Sequence, residues 1–305
     1  VNAALTGQPI FHALFRAEIS EYLEYSFAED AERYGTMISG AGSSFMERVC
    51  GFGRATILHG PCLRSLDGLS KALVPASYFF KVDWLGAGVE QLTLYCRFDG
   101  TLQPEALRRA LAQSQPFAWN TAEPHALARV LGEASPVIIA LRVHASGQAR
   151  MASYFRIRRP REEFLEGELP PLLDLLSLRC SMAAEIRTTL ASLIGFWFPP
   201  MIGIDSPEPG GSATLKIDVA GVCLSEAVAF LKSLGAGADR VSRLGRVGRG
   251  LGLEVLNYVG SKFTASGQSA WKLYMPVHSR RSVLTPGPKL RILEAHQPPM
   301  PMQMW

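Results

Sequence analysis

Four short stretches of the chain carry a pattern that could do chemistry. Along Val89–Phe98, Ala149–Ile157, Thr214–Ala220 and Ala270–Val277, alternate residues form a polar row and an apolar row. The polar rows read Thr93, Tyr95, Arg97; Ala152, Tyr154, Arg156; Thr214, Lys216, Asp218; and Lys272, Tyr274. Each row brings a cation and three of the four bring a tyrosine. The opposite rows are mostly apolar: Leu92, Leu94, Cys96; Met151, Ser153, Phe155; Leu215, Ile217, Val219; Trp271, Leu273, Met275. Successive side chains of a strand point to opposite faces, so each stretch predicts a strand with one apolar and one cationic face. Lysine and arginine converging in a cavity suit an anion, above all a diphosphate. Tyrosine faces suit a cation, at roughly 1–2 kcal/mol per desolvated contact. Together they suit ionisation of an allylic diphosphate. Basic groups hold the departing anion, aromatic faces surround the carbocation, and charge placed where charge develops is the larger catalytic contribution. Asp83, Asp205 and Asp218 are candidate acceptors of a proton released by an attacking nucleophile. Their alternative role is salt bridging within the cation ring.

The elements that must position these rows are hairpins. Ser77–Trp84 and Val89–Phe98 flank Gly86-Ala87-Gly88; Pro136–His144 and Ala149–Ile157 flank Ala145-Ser146-Gly147-Gln148. Met201–Asp205 and Thr214–Ala220 flank a Pro/Gly turn, and Asn257–Thr264 and Ala270–Val277 flank a second Ala-Ser-Gly-Gln. The turns recur about every 60 residues, which points to an internal repeat. Helices are predicted between hairpins: Leu102–Gln113 with Pro104 in its first turn, Pro124–Glu133, two helices in Phe164–Leu193 around Pro170-Pro171, Leu224–Leu234 from an N-cap near Ser225, and Ala238–Gly252. Hairpins in series, each followed by helices, can close into a barrel with the apolar rows under the helices and the polar rows in a wet lumen. Residues 1–75 read as mainly helical. In Ile10–Tyr25 the acids Glu18, Glu21 and Glu24 fall at i, i+3 and i+6, as on a solvated helix face.

Composition narrows the classes. Of 305 residues 48% are hydrophobic and 19% charged, which excludes a disordered chain. A net charge of +4 accommodates a local basic site without demanding a nucleic-acid partner. Cys50, Cys62, Cys96, Cys180 and Cys223 are scattered with no CxxC, as for buried thiols rather than disulfides or a metal site. There is no basic-then-apolar start, and the longest apolar run, Leu190–Ile204, is broken by Pro199 and Pro200. A cytoplasmic protein without a membrane segment is expected, as monomer or homodimer. Gly245–Gly252 follows no clear strand and is not a dinucleotide fingerprint; Arg240, Arg243, Arg246 and Arg249 read as a solvated helix face. Residues 1–285 are expected to form one domain, with 286–305 a proline-rich tail.

The strand–strand–helix–helix unit and the hairpins MIGIDSPEPGGSATLKIDV and YVGSKFTASGQSAWKLYMPV resemble those of the ABBA-type aromatic prenyltransferases, most of all the branch acting on cyanobactin-type cyclic peptides. The resemblance covers about Ala76–Val277. It implies an α+β fold, a PT barrel of about ten antiparallel strands with a solvated lumen surrounded by α-helices; beyond the four hairpins, either Gly35–Val49 or the segment after Val277 then supplies a fifth, or the barrel is incomplete. It implies a dimethylallyl or geranyl diphosphate donor, Mg²⁺ with the diphosphate, and no organic cofactor. The acceptor it implies is a nucleophilic side chain of a cyclic peptide. A free indole or phenol acceptor, or a silent barrel that binds an anionic ligand, are the alternatives. On the family's pattern Lys272 and Tyr274 match the basic and aromatic residues of the last hairpin strand, and Lys216 a lumenal position. The family's tyrosine falls near Asp218, its diphosphate-binding arginine nearer Thr93 or Gln91 than Arg97, and its Lys/His pair near Ala152 and Tyr154. Its catalytic glutamate falls near Ser77, whose parity Asp83 shares.

Overall fold

The alternating stretches form strands that close on themselves. The computed structural model describes residues 7–28, 33–56, 67–99 and 136–279, apart from positions 69, 72, 87, 158–160, 180, 192, 194–200, 206–212 and 251. The N-terminal part comprises α1 (Gly7–Leu14), α2 (Arg16–Glu21), β1 (Tyr22–Ala28), β2 (Arg33–Gly40) and α3 (Gly42–Thr56). Two hairpins follow, β3 (Ser77–Leu85) with β4 (Gly88–Arg97) and β5 (Ile138–His144) with β6 (Ala149–Arg156). Next come α4, formed by Arg161–Glu163, a π turn Phe164–Glu168 and Leu169–Leu175, and then α5 (Met182–Ala191). The hairpin β7 (Met201–Asp205) and β8 (Thr214–Cys223), helices α6 (Leu224–Ser233) and α7 (Ala238–Gly250), and the hairpin β9 (Val255–Thr264) and β10 (Gly267–Ser279) complete it. All ten strands form one closed barrel in which β1 lies between β10 and β2, and every neighbouring pair is antiparallel. Closure leaves no strand edge unpaired.

The apolar rows face outward into two hydrophobic clusters. Phe80, Val82 and Trp84 of β3 pack with Phe11, Phe15, Phe45 and Phe52 from α1, α3 and the α1–α2 junction. The Phe15 and Phe80 rings lie 5.5 Å apart and those of Phe11 and Phe52 5.6 Å apart. On the other side Leu215, Ile217 and Val219 of β8 join Phe164, Leu172, Ile186 and Phe230 from α4, α5 and α6. Burying each such side chain is worth roughly 1.5–3 kcal/mol, so the barrel is held from outside, and its interior need not be greasy. In the Ala145–Gln148 turn, Gly147 takes φ 82°, a left-handed conformation that a Cβ would oppose. Among the described residues no helix is long and apolar enough to cross a membrane.

Several sequence expectations need correction. Tyr22–Ala28 and Arg33–Gly40 are not helical: they are the antiparallel pair β1–β2, the fifth pair of the barrel, which begins earlier than Gly35. Leu23, Tyr25 and Phe27 alternate with Glu24 and Ser26, and the barrel completes itself with that strand, overriding the helical spacing of Glu18, Glu21 and Glu24. Pro170 and Pro171 do not separate two helices: they follow the π turn Phe164–Glu168 inside α4, and the break before α5 comes after Leu175. The N-cap of α6 is Cys223 rather than Ser225. Cys50 and Cys96 are buried free thiols and Cys223 is half-buried. Cys62, Cys180, the helices expected at 102–113 and 124–133, and everything after Ser279 lie outside the described residues.

Candidate active site

All four polar rows line the lumen, and the first strands of the hairpins add more charge to it. β3 contributes Lys81 and Asp83, β5 Arg142, β7 Asp205 and β9 Lys262. Each joins Lys216, Lys272, Tyr95 or Tyr274 around a single cavity. Two like-charged pairs face one another directly across strand pairs, Arg142 opposite Arg150 and Lys216 opposite Lys262. Like charges directly opposite on adjacent strands destabilise a sheet, so this register is one that an anion would relieve.

The cations are tied to aspartates and phenols. Lys81 Nζ lies 2.9 Å and Lys272 Nζ 3.1 Å from the same Asp83 Oδ1, and Gln91 Nε2 donates to Asp83 Oδ2 at 3.1 Å. Lys216 Nζ is 2.9 Å from Asp218 Oδ2 and donates to the Tyr274 hydroxyl at 2.8 Å. Arg142 pairs with Asp205 and donates to the Tyr154 hydroxyl at 2.6 Å. The lysines also sit over aromatic rings. Lys216 Nζ is 5.0 Å from the Tyr274 ring centroid and 5.6 Å from that of Tyr154, and Lys81 Nζ is 5.2 Å from that of Tyr274. Cation and phenol faces therefore share one space. Gly203 makes room for this: a Cβ there would stand 2.6 Å from Tyr154 Cε1.

The electrostatics follow from burial against pairing. Burial acts to raise the Asp83 carboxyl, but Lys272 and Lys81 override it and hold the group well below the ordinary carboxylate range. Burial likewise opposes the charge of Lys216, and Asp218 and the tyrosines outweigh it, raising that lysine well above its usual value. In Lys272 burial outweighs Asp83, with Lys81 adding repulsion, so its affinity for a proton is lowered. Burial also pushes the Tyr274 phenol up to about 12, which keeps it neutral as it accepts the Lys216 hydrogen bond.

Register places the parts at different heights. Asp83, Gln91, Arg142, Asp205 and Lys262 lie near the hairpin turns, and Tyr95, Tyr154, Tyr258 and Tyr274 lie farther from those turns along their strands. Arg97 and Arg156 terminate β4 and β6 at the opposite end. They share the lumenal parity but do not join the cavity. Arg97 is paired 3.3 Å from Asp99 and Arg156 is exposed.

Glu24 has the lumenal parity of β1, two residues from Ser26, which pairs with Tyr274; it is 0% exposed and lies beyond the residues that line the cavity. Its Oε2 accepts hydrogen bonds from the Tyr22 hydroxyl at 2.9 Å and Asn257 Nδ2 at 2.5 Å, while its Oε1 has no partner. Burial raises the carboxyl from 4.5 to about 7, against the lowering effect of those hydrogen bonds. Sequence reasoning placed a first-strand glutamate near Ser77 and read Glu24 as a helix surface residue. The Leu23/Tyr25/Phe27 alternation was the available signal. The same parity test applied to first strands would have found Lys81, Arg142 and Lys262.

No three His, Cys, Asp or Glu side chains come together as a metal-ligand set among the described residues. The lumenal aspartates are ion-paired instead, so these residues do not form a cage for Mg²⁺.

No family model and no curated protein matches the chain. Solved structures do. The 5-dimethylallyltryptophan synthase from Streptomyces coelicolor, also solved in complex with DMASPP and Trp, is 14% identical, with a TM-score of 0.59 over 87% of this chain and 82% of that one. AnaPT from Neosartorya fischeri is 11% identical, with a TM-score of 0.57 over 83% of this chain and 77% of that one. PriB, solved with product diphosphate, is 15% identical, with a TM-score of 0.58 over 85% of this chain and 80% of that one. The chain thus has the fold of the ABBA prenyltransferase barrel, ten antiparallel strands around a polar lumen with helices outside.

Proposed function

We propose that the chain is a prenyltransferase that moves a dimethylallyl or geranyl group from its diphosphate to an aromatic acceptor. One observation carries this reading: buried lysines that can hold an anion lie within 5–6 Å of tyrosine rings that can face a cation. Lys81, Lys216, Lys272 and Arg142 hold the diphosphate. The C1–O bond of the donor breaks heterolytically and the diphosphate leaves with the electron pair. Tyr95, Tyr154 and Tyr274 surround the allylic cation and keep water from it. The acceptor attacks C1, and its proton passes to Glu24 Oε1, the buried oxygen without a donor. Asp83 is ill suited to that step, since two lysines stabilise its charged form.

The acceptor is a small aromatic molecule such as an indole or phenol, in preference to a cyclic peptide. Glu24 is wholly buried, and a nucleophile that must reach it has to enter the lumen. The dimethylallyltryptophan synthases among the structural neighbours agree with that choice. Mg²⁺, where present, would travel with the diphosphate, because the lumen's own cations already occupy the aspartates.

The test is incubation of the protein with dimethylallyl and geranyl diphosphates beside tryptophan, indoles, phenols and a cyclic peptide panel, read by mass spectrometry. A prenylated small aromatic product is expected. Prenylated peptide alone would overturn the acceptor assignment, and donor binding without any product would mark the barrel as silent.

A further inference from the structure

Three lumenal aspartates occupy cations that the proposed donor needs. Asp83 is shared by Lys81 and Lys272, Asp205 engages Arg142, and Asp218 engages Lys216. All three acids are at most 7% exposed. Asp83 is fully engaged, with three donors on its two oxygens. Asp205 and Asp218 are not: each has its second oxygen, Oδ1, buried with no hydrogen-bond partner. Asp205 also lines the cavity itself, opposite Thr214 and beside the Arg142–Arg150 pair. A carboxylate so placed adds little to the fold through its second oxygen and sets a negative charge against an incoming polyanion.

We propose that Asp205, with Asp218 beneath it, is a built-in counter-anion that the diphosphate must displace from Arg142 and Lys216. This rests on the prenyltransferase reading and adds what sets donor and product affinity. The carboxylates occupy the cations in the empty barrel. They compete with the diphosphate when it is bound, and they return to the cations as it leaves. Their effect is to hold diphosphate affinity down, so that the product anion does not stay in the lumen. Asp205 and Asp218 are in this sense positioning residues, acting through Arg142 and Lys216.

Isothermal titration of inorganic pyrophosphate into the wild-type chain, Asp205→Asn and Asp218→Asn, in EDTA, tests it. Each substitution is expected to tighten pyrophosphate binding by about tenfold to a hundredfold, the effect of removing one like charge several ångströms from a polyanion in a partly buried site. Product inhibition should strengthen with it, and the steady-state rate should fall below the rate of the first turnover. A merely structural aspartate gives the opposite sign, since its loss disorders Arg142 or Lys216 and weakens binding. Unchanged or weaker binding in the folded variants therefore overturns the proposal, as does binding that needs Mg²⁺ and is lost with Asp205. If one variant fails to fold, the other carries the same prediction. A wild type that binds no pyrophosphate at all refutes instead the prenyltransferase reading on which this rests.

Discussion

Glu24→Gln should make the protein more stable and nearly inactive, and the two effects have one origin. In the folded chain the Glu24 carboxyl stands at about 7 against an ordinary value of 4.5, because burial penalises its charge. A group whose folded value is raised favours folding while it keeps its proton. That contribution is complete below pH 4.5 and is lost as the pH climbs through 7. At ~1.4 kcal/mol per pH unit, ionised Glu24 costs the fold ~3 kcal/mol at pH 8. Glutamine keeps the shape, still accepts a hydrogen bond from Asn257 or Tyr22, and has no charge to desolvate. Denaturant titrations at pH 5, 6, 7 and 8 should show wild type and variant converging at the acid end, with the variant ahead by up to ~3 kcal/mol at pH 8. Activity should move the other way. A carboxylate that takes the acceptor's proton contributes about 10²–10⁴ in rate, so prenylation should fall by that factor. In the wild type kcat/KM should rise with pH through about 7, as Glu24 loses its proton. A variant destabilised equally at every pH would show that Glu24 is a structural anchor. A variant that prenylates at the wild-type rate would remove Glu24 from the reaction.

The remaining predictions probe the cations, the ring they border and the metal. Lys216→Met removes the partner of Asp218 and the donor to Tyr274, so the KM for dimethylallyl diphosphate should rise about a hundredfold, with about 3 kcal/mol lost from stability, as when a buried pair is broken. Arg156→Ala, at the far end of the lumen, should change donor KM by less than about threefold; an effect as large as that of Lys216→Met would show one continuous anion site. Gly203→Ala places a Cβ 2.6 Å from the Tyr154 ring and should cost about 1–3 kcal/mol in a thermal melt while slowing prenylation; no change in either would show that the ring has room to shift. EDTA should lower the prenylation rate by less than about tenfold, since lysine and arginine supply the positive charge; complete loss of activity would require a metal on the diphosphate.

Much of the architecture was legible because a strand's side-chain period is short and strict. Parity alone assigned Tyr95, Tyr154, Lys216, Lys272 and Tyr274 to the lumen and Leu215, Ile217 and Val219 to the outer core. The first hairpin was misread because Ile10–Tyr25 also satisfies a helical pattern. Short segments with mixed spacing do not decide between periods 2 and 3.6; the open edges of β3 and β10, which β2 and β1 close, decide it. Which lumenal residues meet was not legible at all. Arg97 and Lys272 obey the same parity, yet one ends its strand beside Asp99 and the other lies 3.1 Å from Asp83, 189 positions away. Parity gives the face, whereas height in the barrel depends on register between strands that no local pattern encodes.

Register also explains why this lumen carries acids at all. A barrel that must bind a polyanion needs converging cations, and a barrel that must fold before its ligand arrives cannot leave them unpaired, since a buried charge without a partner costs several kcal/mol. Asp83 answers the folding requirement for Lys81 and Lys272 together, and neighbouring Gln91 satisfies its other oxygen. Asp205 and Asp218 answer it with one oxygen each and leave the other bare. The difference separates anchor from competitor. Replacing Asp83 should release two lysines at once and weaken both the fold and pyrophosphate binding, whereas replacing Asp205 should free one arginine for the anion. Asp83→Asn and Asp205→Asn moving pyrophosphate affinity in opposite directions is the outcome required. If both weaken it, Asp205 is an anchor like Asp83, and the competitor role is lost for it.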